Sequence, residues 1–205
     1  SKDMLIDSGL GTDLAAASIS LAAPINFSTG RPVNPPIMPH WRDFDVQGWI
    51  SQYLDIPVFV DKDVNMMALG AHRGRKSQPD NLLFVKISTG IGVGIISNGM
   101  LQRGEQGLAG DIGHVQVSRR AETPCHCGNR GCLEALASGP AIAAELTRLG
   151  TPALTNQDVL NLVKAGNLLA IQLIRQAGRD LGEILATCVS LLNPSLIIIG
   201  GSIAG

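Results

Sequence analysis

Aromatic and charged residues are both scarce in this 205-residue chain, and each scarcity limits what kind of protein it can be. Phe, Trp and Tyr make up only 3%, so a core would have to be built from Ala, Val, Ile and Leu. Charged residues make up 16% and hydrophobic residues 45%, which is typical of a globular domain rather than a disordered segment. The length allows one large domain or two small ones.

The chain also lacks a strong net charge and a long apolar run. Its 16 Lys and Arg residues against 17 Asp and Glu leave a formal charge of −1, so nothing indicates direct binding to nucleic acid. No apolar run approaches the length of a membrane span, and the opening SKDMLIDSGLGTD has no signal-peptide pattern. We therefore expect a cytoplasmic protein without a membrane partner, whose thiols stay reduced.

Strand-like and helix-like patterns alternate along the chain, which favours an α/β fold. Strands are predicted within residues 14–24, 56–60, 81–102 and 195–201, with a hairpin turn at Asn98-Gly99. Helices are predicted over 45–54, 61–74, 134–150 and 156–192, with a break in the last near Gly166-Asn167. Four prolines exclude regular structure from 25–41. The chain lacks an initial Met and ends at IIIGGSIAG, so we interpret it as a piece of a longer protein.

Three of the four cysteines, Cys125, Cys127 and Cys132, fall within eight residues, and His114 lies eleven residues upstream of the first. One imidazole and three thiolates form a ligand set typical of structural zinc. The alternatives are a disulfide or unpaired buried thiols. A Cys-x-Cys disulfide would be strained by its short loop and disfavoured in a reducing compartment, so the sequence predicts zinc. Cys188 lies in an apolar helical stretch and is predicted to be a core residue rather than a ligand.

The residues around the cysteines suit a metal loop. Gly128 and Gly131 tolerate the positive φ that a chain needs to wrap tightly around an ion. Three thiolates carry more negative charge than one Zn²⁺ offsets, and nearby cations could balance the excess. These cations are Arg119, Arg120 and Arg130.

The segments GLAGDIGHVQV and CHCGNRGCLEALASG together resemble the signature of the ROK family, which groups sugar-responsive repressors with sugar kinases. VDKDVNMMALGAHRG resembles the family's catalytic-aspartate segment, ISTGIGVGIISNG its glycine-rich phosphate loop, and NPSLIIIGGSIAG the strand near its nucleotide end. The resemblance implies an α/β fold of the actin and hexokinase (ribonuclease H-like) type, with two lobes around a cleft, an incomplete N-terminal part and usually a homodimer. Residues 1–75 would be the remainder of the N-terminal lobe, and 76–205 the C-terminal lobe with a zinc loop at 114–134.

The resemblance also implies a role for individual residues. The zinc ligands would be His114, Cys125, Cys127 and Cys132. The sugar-binding residues would be Asp63, Asp111, His114 and Glu134, with Asp63 as catalytic base if the protein is a kinase. The loop that contacts nucleotide phosphate in the kinases, where ATP and Mg²⁺ are the cofactors, matches Thr89, Gly90 and Gly92.

Elementary chemistry is consistent with these roles, because carboxylates bind sugar hydroxyls through charge-assisted hydrogen bonds and can accept a hydroxyl proton during phosphoryl transfer. Each residue also has a structural alternative. Asp63 could cap a helix, Glu134 could be an ordinary first-turn glutamate, and the glycine-rich turn could be structural.

Several departures from the family pattern favour its regulators over its kinases. The opening phosphate loop of the kinases does not precede residue 14. Lys62 stands where the kinases carry asparagine, and would pair with Asp63 or Asp61 or point to solvent. Ile37 stands in place of a sugar-binding loop asparagine, and Asp111 in place of a longer glutamate.

We therefore predict the effector-binding and dimerisation domain of a ROK-family transcriptional regulator, which binds a sugar or sugar derivative beside a structural zinc. DNA would be contacted only through an upstream helix-turn-helix outside this chain. A sugar with unequal affinity for the open and closed lobe arrangements would shift their populations. The alternatives are an ATP-dependent sugar kinase with Asp63 as base, or a domain that only oligomerises.

Overall fold

The computed structural model describes residues 14–35, 38–75, 77 and 79–204. Within these residues it is α/β, as predicted, with eight strands and six α-helices. The strands are β1 (Ala17–Leu21), β2 (Ile25–Asn26), β3 (Arg31–Pro32), β4 (Val58–Lys62), β5 (Leu82–Ile87), β6 (Ile91–Ser97), β7 (Met100–Gln102) and β8 (Leu196–Gly200). The helices are α1 (Val46–Ser51), α2 (Asp63–Arg73), α3 (Leu133–Ala137), α4 (Gly139–Arg148), α5 (Asn156–Lys164) and α6 (Leu168–Leu192).

The first sheet pairs β1 with β4 in parallel, and α1 packs against it through Val46 and Val60. Asp45 caps α1, because its carboxylate accepts a hydrogen bond from the backbone N–H of Gly48 at 2.8 Å. Strand β4 ends at Lys62, and α2 begins at the next residue, Asp63. Asp63 therefore lies at the carboxyl end of a parallel strand, where α/β proteins commonly bind ligands.

The second sheet has four strands in the order β7-β6-β5-β8, with β8 parallel to β5 and the other pairs antiparallel. The predicted hairpin turn joins β6 to β7, and both of its residues have positive φ, 51° at Asn98 and 73° at Gly99. That is the requirement of the tight hairpin turn that Asn-Gly favours. Helix α2 approaches β6 closely, since a Cβ on Gly94 would lie 2.5 Å from the backbone oxygen of Val64.

Strand β5 is covered on both faces, which explains why LLFVKI is almost continuously apolar. Leu82 packs with Ala68 of α2, whereas Leu83 and Val85 belong to a second cluster that includes α3 and α6. The smaller helices α4 and α5 pack against α6 in a third cluster. The second sheet therefore fixes α2 on one side and the start of α3 on the other.

Two predictions of secondary structure are wrong in detail. The 25–41 segment contains a β2–β3 pair and a 3₁₀ helix at Pro39–Trp41, because a two-residue strand can accommodate Pro32. The helix predicted over 134–150 is two helices, divided at Ser138, which is extended and caps α4 through its hydroxyl. The predicted break near Gly166-Asn167 is confirmed, since α5 ends at Lys164 and Asn167 caps α6.

Candidate functional site

The structure brings the four predicted metal ligands together. One donor atom from each of His114, Cys125, Cys127 and Cys132 lies within 4.8 Å of all the others. His114 Nδ1 lies 3.7 Å from Cys125 Sγ, and the sulfurs of Cys127 and Cys132 are also 3.7 Å apart. Four ligands in a tetrahedron with Zn–S bonds of about 2.3 Å would have sulfurs about 3.8 Å apart, so the cluster has dimensions that fit zinc.

The surroundings of two of the thiols favour their protonated form. Burial raises the pKa of the Cys132 thiol to about 12, and burial raises the pKa of Cys125 as well. Thiols in such surroundings stay protonated at neutral pH, whereas a metal ion needs thiolates and stabilises them by its own charge. A metal ion bound here would therefore hold the loop in place by replacing protons on the sulfurs.

The backbone around the cysteines folds back on itself to place the ligands. Short antiparallel bridges pair Gln116 with Cys132 and Pro124 with Arg130. Gly131 has φ +69°, and a Cβ there would lie 2.8 Å from the Cα of Ala121. Glycine is therefore needed at this position, both for its backbone conformation and for space.

The arginines near the cysteines form ion pairs with carboxylates. Arg119 contacts Asp180 of α6 through two nitrogens, at 3.1 and 2.5 Å, and Asp180 is almost fully buried. Arg120 contacts Glu145 of α4 at 3.1 Å, and the third pair joins Arg130 to Glu122. The first two pairs anchor the metal loop to the helices behind it, a role that the sequence did not indicate.

Beside the metal cluster lies a cavity of about 60 Å³, which we call the inner cavity. Seven residues singled out from the sequence line it: Lys62, Asp63, Gly90, Gly92, Asp111, His114 and Glu134. Thr89, the remaining phosphate-loop candidate, is exposed and is not among the residues that line the cavity. The carboxylates, which come from three distant parts of the sequence, therefore converge on one cavity with the imidazole.

Asp63 is paired with a residue that the sequence analysis missed. Its Oδ2 accepts a hydrogen bond from the ammonium of Lys86, and its Oδ1 accepts one from the backbone N–H of Val64 at 2.6 Å. Lys86 lies on β5 between Gly92 of β6 and Gly200 of β8. The signal available in the sequence was a lysine within the otherwise apolar strand LLFVKI.

Lys62 does not behave as predicted. Its ammonium donates to the backbone oxygen of Ala109 at 3.1 Å, and the residue is only 6% exposed, so it does not point to solvent. Burial lowers the pKa of Lys62, against the opposing influence of Asp111, Asp63 and Asp61. The expected ion pairs are made by other cations, since Asp63 pairs with Lys86 and Asp61 with Arg103.

Glu134 is held by the glycine-rich hairpin. Its Oε2 accepts a hydrogen bond from the backbone N–H of Ile91 at 3.0 Å, and a Cβ on Gly90 would lie 2.6 Å from the same oxygen. A side chain at position 90 would therefore have to displace the carboxylate of Glu134. In this structure the loop contacts the carboxylate of Glu134, and its contact with nucleotide phosphate stays a prediction.

The two ring nitrogens of His114 face different groups. Its Nδ1 faces the cysteines, and its Nε2 lies 4.0 Å from Asp111 Oδ1. If a metal ion binds Nδ1, the neutral imidazole carries its proton on Nε2, which can then donate into the cavity. Ile37, the other residue thought to reshape the cavity, lies outside the described residues.

The model of the ROK family matches residues 6–205. The chain belongs to the ROK family. It is 34% identical to a glucokinase of Halalkalibacterium halodurans over 179 residues, covering 80% of this chain and 54% of the relative. It is also 34% identical to the xylose repressor of Bacillus subtilis over 165 residues, covering 80% of this chain and 42% of the repressor. The chain therefore spans about half the length of these two curated relatives.

A solved ROK family transcriptional regulator, a homologue of the E. coli MLC protein, superimposes with a TM-score of 0.83 and 30% identity. The match covers 98% of this chain and 54% of the regulator. The actin and hexokinase-like α/β fold is thereby confirmed. The chain is equally identical to a kinase and to a repressor. Sequence similarity alone therefore does not decide between these two functions. Among the described helices, none combines the length and the apolar character that crossing a bilayer requires.

Proposed function

We propose that this chain is the effector-binding domain of a ROK-family transcriptional regulator, and that it binds a sugar or sugar derivative without phosphorylating it. The observation that carries the proposal is the state of Asp63. Both of its carboxylate oxygens already accept hydrogen bonds, one from Val64 and one from Lys86. A general base must reach the hydroxyl proton that it removes, so Asp63 would first have to leave an ion pair.

The remaining polar groups of the inner cavity suit binding rather than proton transfer. Glu134 uses one oxygen to accept from Ile91, and among the described residues its Oε1 has no hydrogen-bond partner. Asp111 supplies a second carboxylate, and His114 Nε2 a donor. Two acceptors and a donor that line one cavity can bind the adjacent hydroxyls of a sugar ring.

The metal ion in this proposal is zinc, held by His114 and the three clustered cysteines. It would supply structural stability to the loop, and fix the imidazole tautomer that donates to the sugar. Residues 1–75 and 76–205 would act as the two lobes, because the inner cavity is lined by Pro24 and Asp63 from the first range and by Glu134 from the second. The domain would act in the cytoplasm as a homodimer or higher oligomer, with DNA bound only through a helix-turn-helix outside residues 1–205.

A hexose kinase that uses ATP and Mg²⁺ is the second candidate. It is favoured by the glucokinase relative, and by the position of Asp63 at the carboxyl end of β4 in the same cavity as Gly90 and Gly92. In that case Lys86 would have to release Asp63 when substrate binds.

A paired binding and turnover assay tests the proposal. The zinc-loaded protein is screened by thermal shift against D-xylose, D-glucose and N-acetyl-D-glucosamine, and ATP consumption is then measured with each sugar that binds. A sugar at 100 times its Kd should stabilise the domain by about 2.7 kcal/mol, or roughly 5–10 °C in Tm. We expect such a shift without ATP consumption. ATP consumption by the wild type that disappears in Asp63→Asn would contradict the regulator and support the kinase.

A further inference from the structure

The inner cavity adjoins a larger one of about 560 Å³, which we call the outer cavity. The two cavities share Pro24, Asp111 and His114 as lining residues, so they lie next to each other. Cavities that enclose small-molecule ligands usually measure about 300–1,000 Å³, and the inner cavity alone is well below that range. A ligand that reaches Glu134 and is larger than the inner cavity would extend past His114 into the outer cavity.

The walls of the outer cavity come from two loops that the sequence analysis treated separately. One wall is the proline-rich loop, which contributes Asn34, Pro35 and Pro39, and the other is the metal loop, which contributes His126 and Asn129. A ligand between these walls would contact both loops at once. The position of the metal loop would then depend on how much of the cavity the ligand fills.

The chemistry of the outer cavity indicates what it would hold. Three side-chain amides, those of Asn34, Gln106 and Asn129, line it and can both donate to and accept from hydroxyl groups. The proline rings supply apolar surface for the C–H faces of a sugar. Arg42 is the one Arg or Lys among the described lining residues, so the cavity lacks the cation cluster that a phosphate group favours.

We propose that the outer cavity is a second sugar subsite, and that the effector of this protein is a disaccharide or other glycoside rather than a monosaccharide. This inference rests on the proposed sugar-binding function. One ring contacts Glu134, Asp111 and His114 in the inner cavity. The second ring lies between Asn34 and Asn129, next to Gln106, and links the proline-rich loop to the metal loop.

Calorimetric titration of the zinc-loaded chain with matched pairs of sugars tests the inference. The pairs are D-xylose with xylobiose, D-glucose with cellobiose and maltose, and N-acetyl-D-glucosamine with N,N′-diacetylchitobiose. At least one disaccharide should bind ten-fold or more tightly than its own monosaccharide. Gln106→Ala should reduce that ratio at least three-fold, and Asn129→Ala should do the same in protein whose zinc content is unchanged. Gln172→Ala, an exposed glutamine of α6, serves as the matched control and should leave the ratio as it is.

The outcomes separate this inference from the function on which it rests. If monosaccharides bind and every disaccharide binds more weakly, the second subsite is refuted and the sugar-binding function stands. If a disaccharide binds more tightly but both amide variants keep the full ratio, the second ring lies elsewhere and the assignment of the outer cavity is wrong. If neither kind of sugar binds, the proposed function fails together with the inference.

Discussion

The ammonium of Lys86 is paired with the carboxylate of Asp63, although the two residues lie 23 positions apart in the sequence. Lys86 reaches Asp63 from the penultimate position of β5, where its partners on the neighbouring strands are Gly92 and Gly200. Their side chains are 13% and 25% exposed, so solvent screens the pair only in part. An aspartate held in this ion pair is not free to act as a base.

A double-mutant cycle measures the strength of this pair. Lys86→Met and Asp63→Asn should each destabilise the protein, because each leaves a partly buried charge without its partner. The double variant should be more stable than the sum of the two effects predicts, by about 1–3 kcal/mol. Free energies of unfolding from urea titration give the coupling. A coupling indistinguishable from zero would show that the pair is not formed in solution.

The metal cluster gives a second prediction. Cys132→Ser should abolish metal binding at this site and lower the Tm, because it removes one of the four ligands. Cys188→Ser is the matched control, since Cys188 packs beside the core cluster and is not one of the four ligands. Elemental analysis of purified protein should find about one zinc per chain in the wild type and the control. Zinc lost from the control as well would mean that the ligands are wrongly assigned.

The bridge between Arg119 and Asp180 gives a third prediction. Asp180→Asn should destabilise the protein by about 2 kcal/mol, less than the ~3–5 kcal/mol typical of fully buried pairs, because the Arg119 side chain is 36% exposed. It should also speed the transfer of zinc to a chelator, since the metal loop loses its attachment to α6. Asp55→Asn, which removes an exposed carboxylate far from α6 in the sequence, should change neither quantity. Unchanged zinc release in Asp180→Asn would show that the bridge does not support the metal loop.

The pH dependence of stability should report on Glu145. Hydrogen bonds from Arg148 and Arg120 lower the pKa of its carboxyl from 4.5 to about 2. A carboxyl with a lowered pKa in the folded state stabilises the protein above the unfolded pKa, and that stability is lost as the pH falls from about 4.5 towards 2. Glu145→Gln should therefore be less stable than the wild type at neutral pH, by at most about 1 kcal/mol because both arginines are largely exposed.

The comparison is made by urea unfolding at several pH values between about 7 and 3. The difference between Glu145→Gln and the wild type should shrink as the solution becomes more acidic. Glu122→Gln is the control, because Glu122 and its partner Arg130 are both mostly exposed. A difference for Glu145→Gln that stays constant down to the lowest pH would contradict the assigned pKa.

The sequence was informative about residues whose spacing is local. The Cys-x-Cys pattern and its glycines predicted a cluster that the structure brings within 4.8 Å, and Asn98-Gly99 predicted a hairpin turn that is present. Both depend on the chemistry of a few neighbouring residues. Such features can be predicted without knowing how distant elements pack.

The sequence was less informative where distant elements meet. Lys86 was missed, and Lys62 was given partners that it does not have, because the register of β5 against β6 and β8 decides which ammonium reaches Asp63. The link from Arg119 to Asp180 spans 61 residues and depends on how α6 packs against the metal loop. The outer cavity likewise forms only when the proline-rich loop and the metal loop face each other.

The central claim is that the inner cavity binds a sugar through Glu134, Asp111 and His114. Calorimetric titration of whichever tested sugar raises the Tm, into zinc-loaded wild type and zinc-loaded Glu134→Gln, tests it most directly. The account predicts saturable binding to the wild type and binding at least ten-fold weaker to Glu134→Gln, with equal zinc content in both. Equal affinity of the two proteins for the sugar would contradict it.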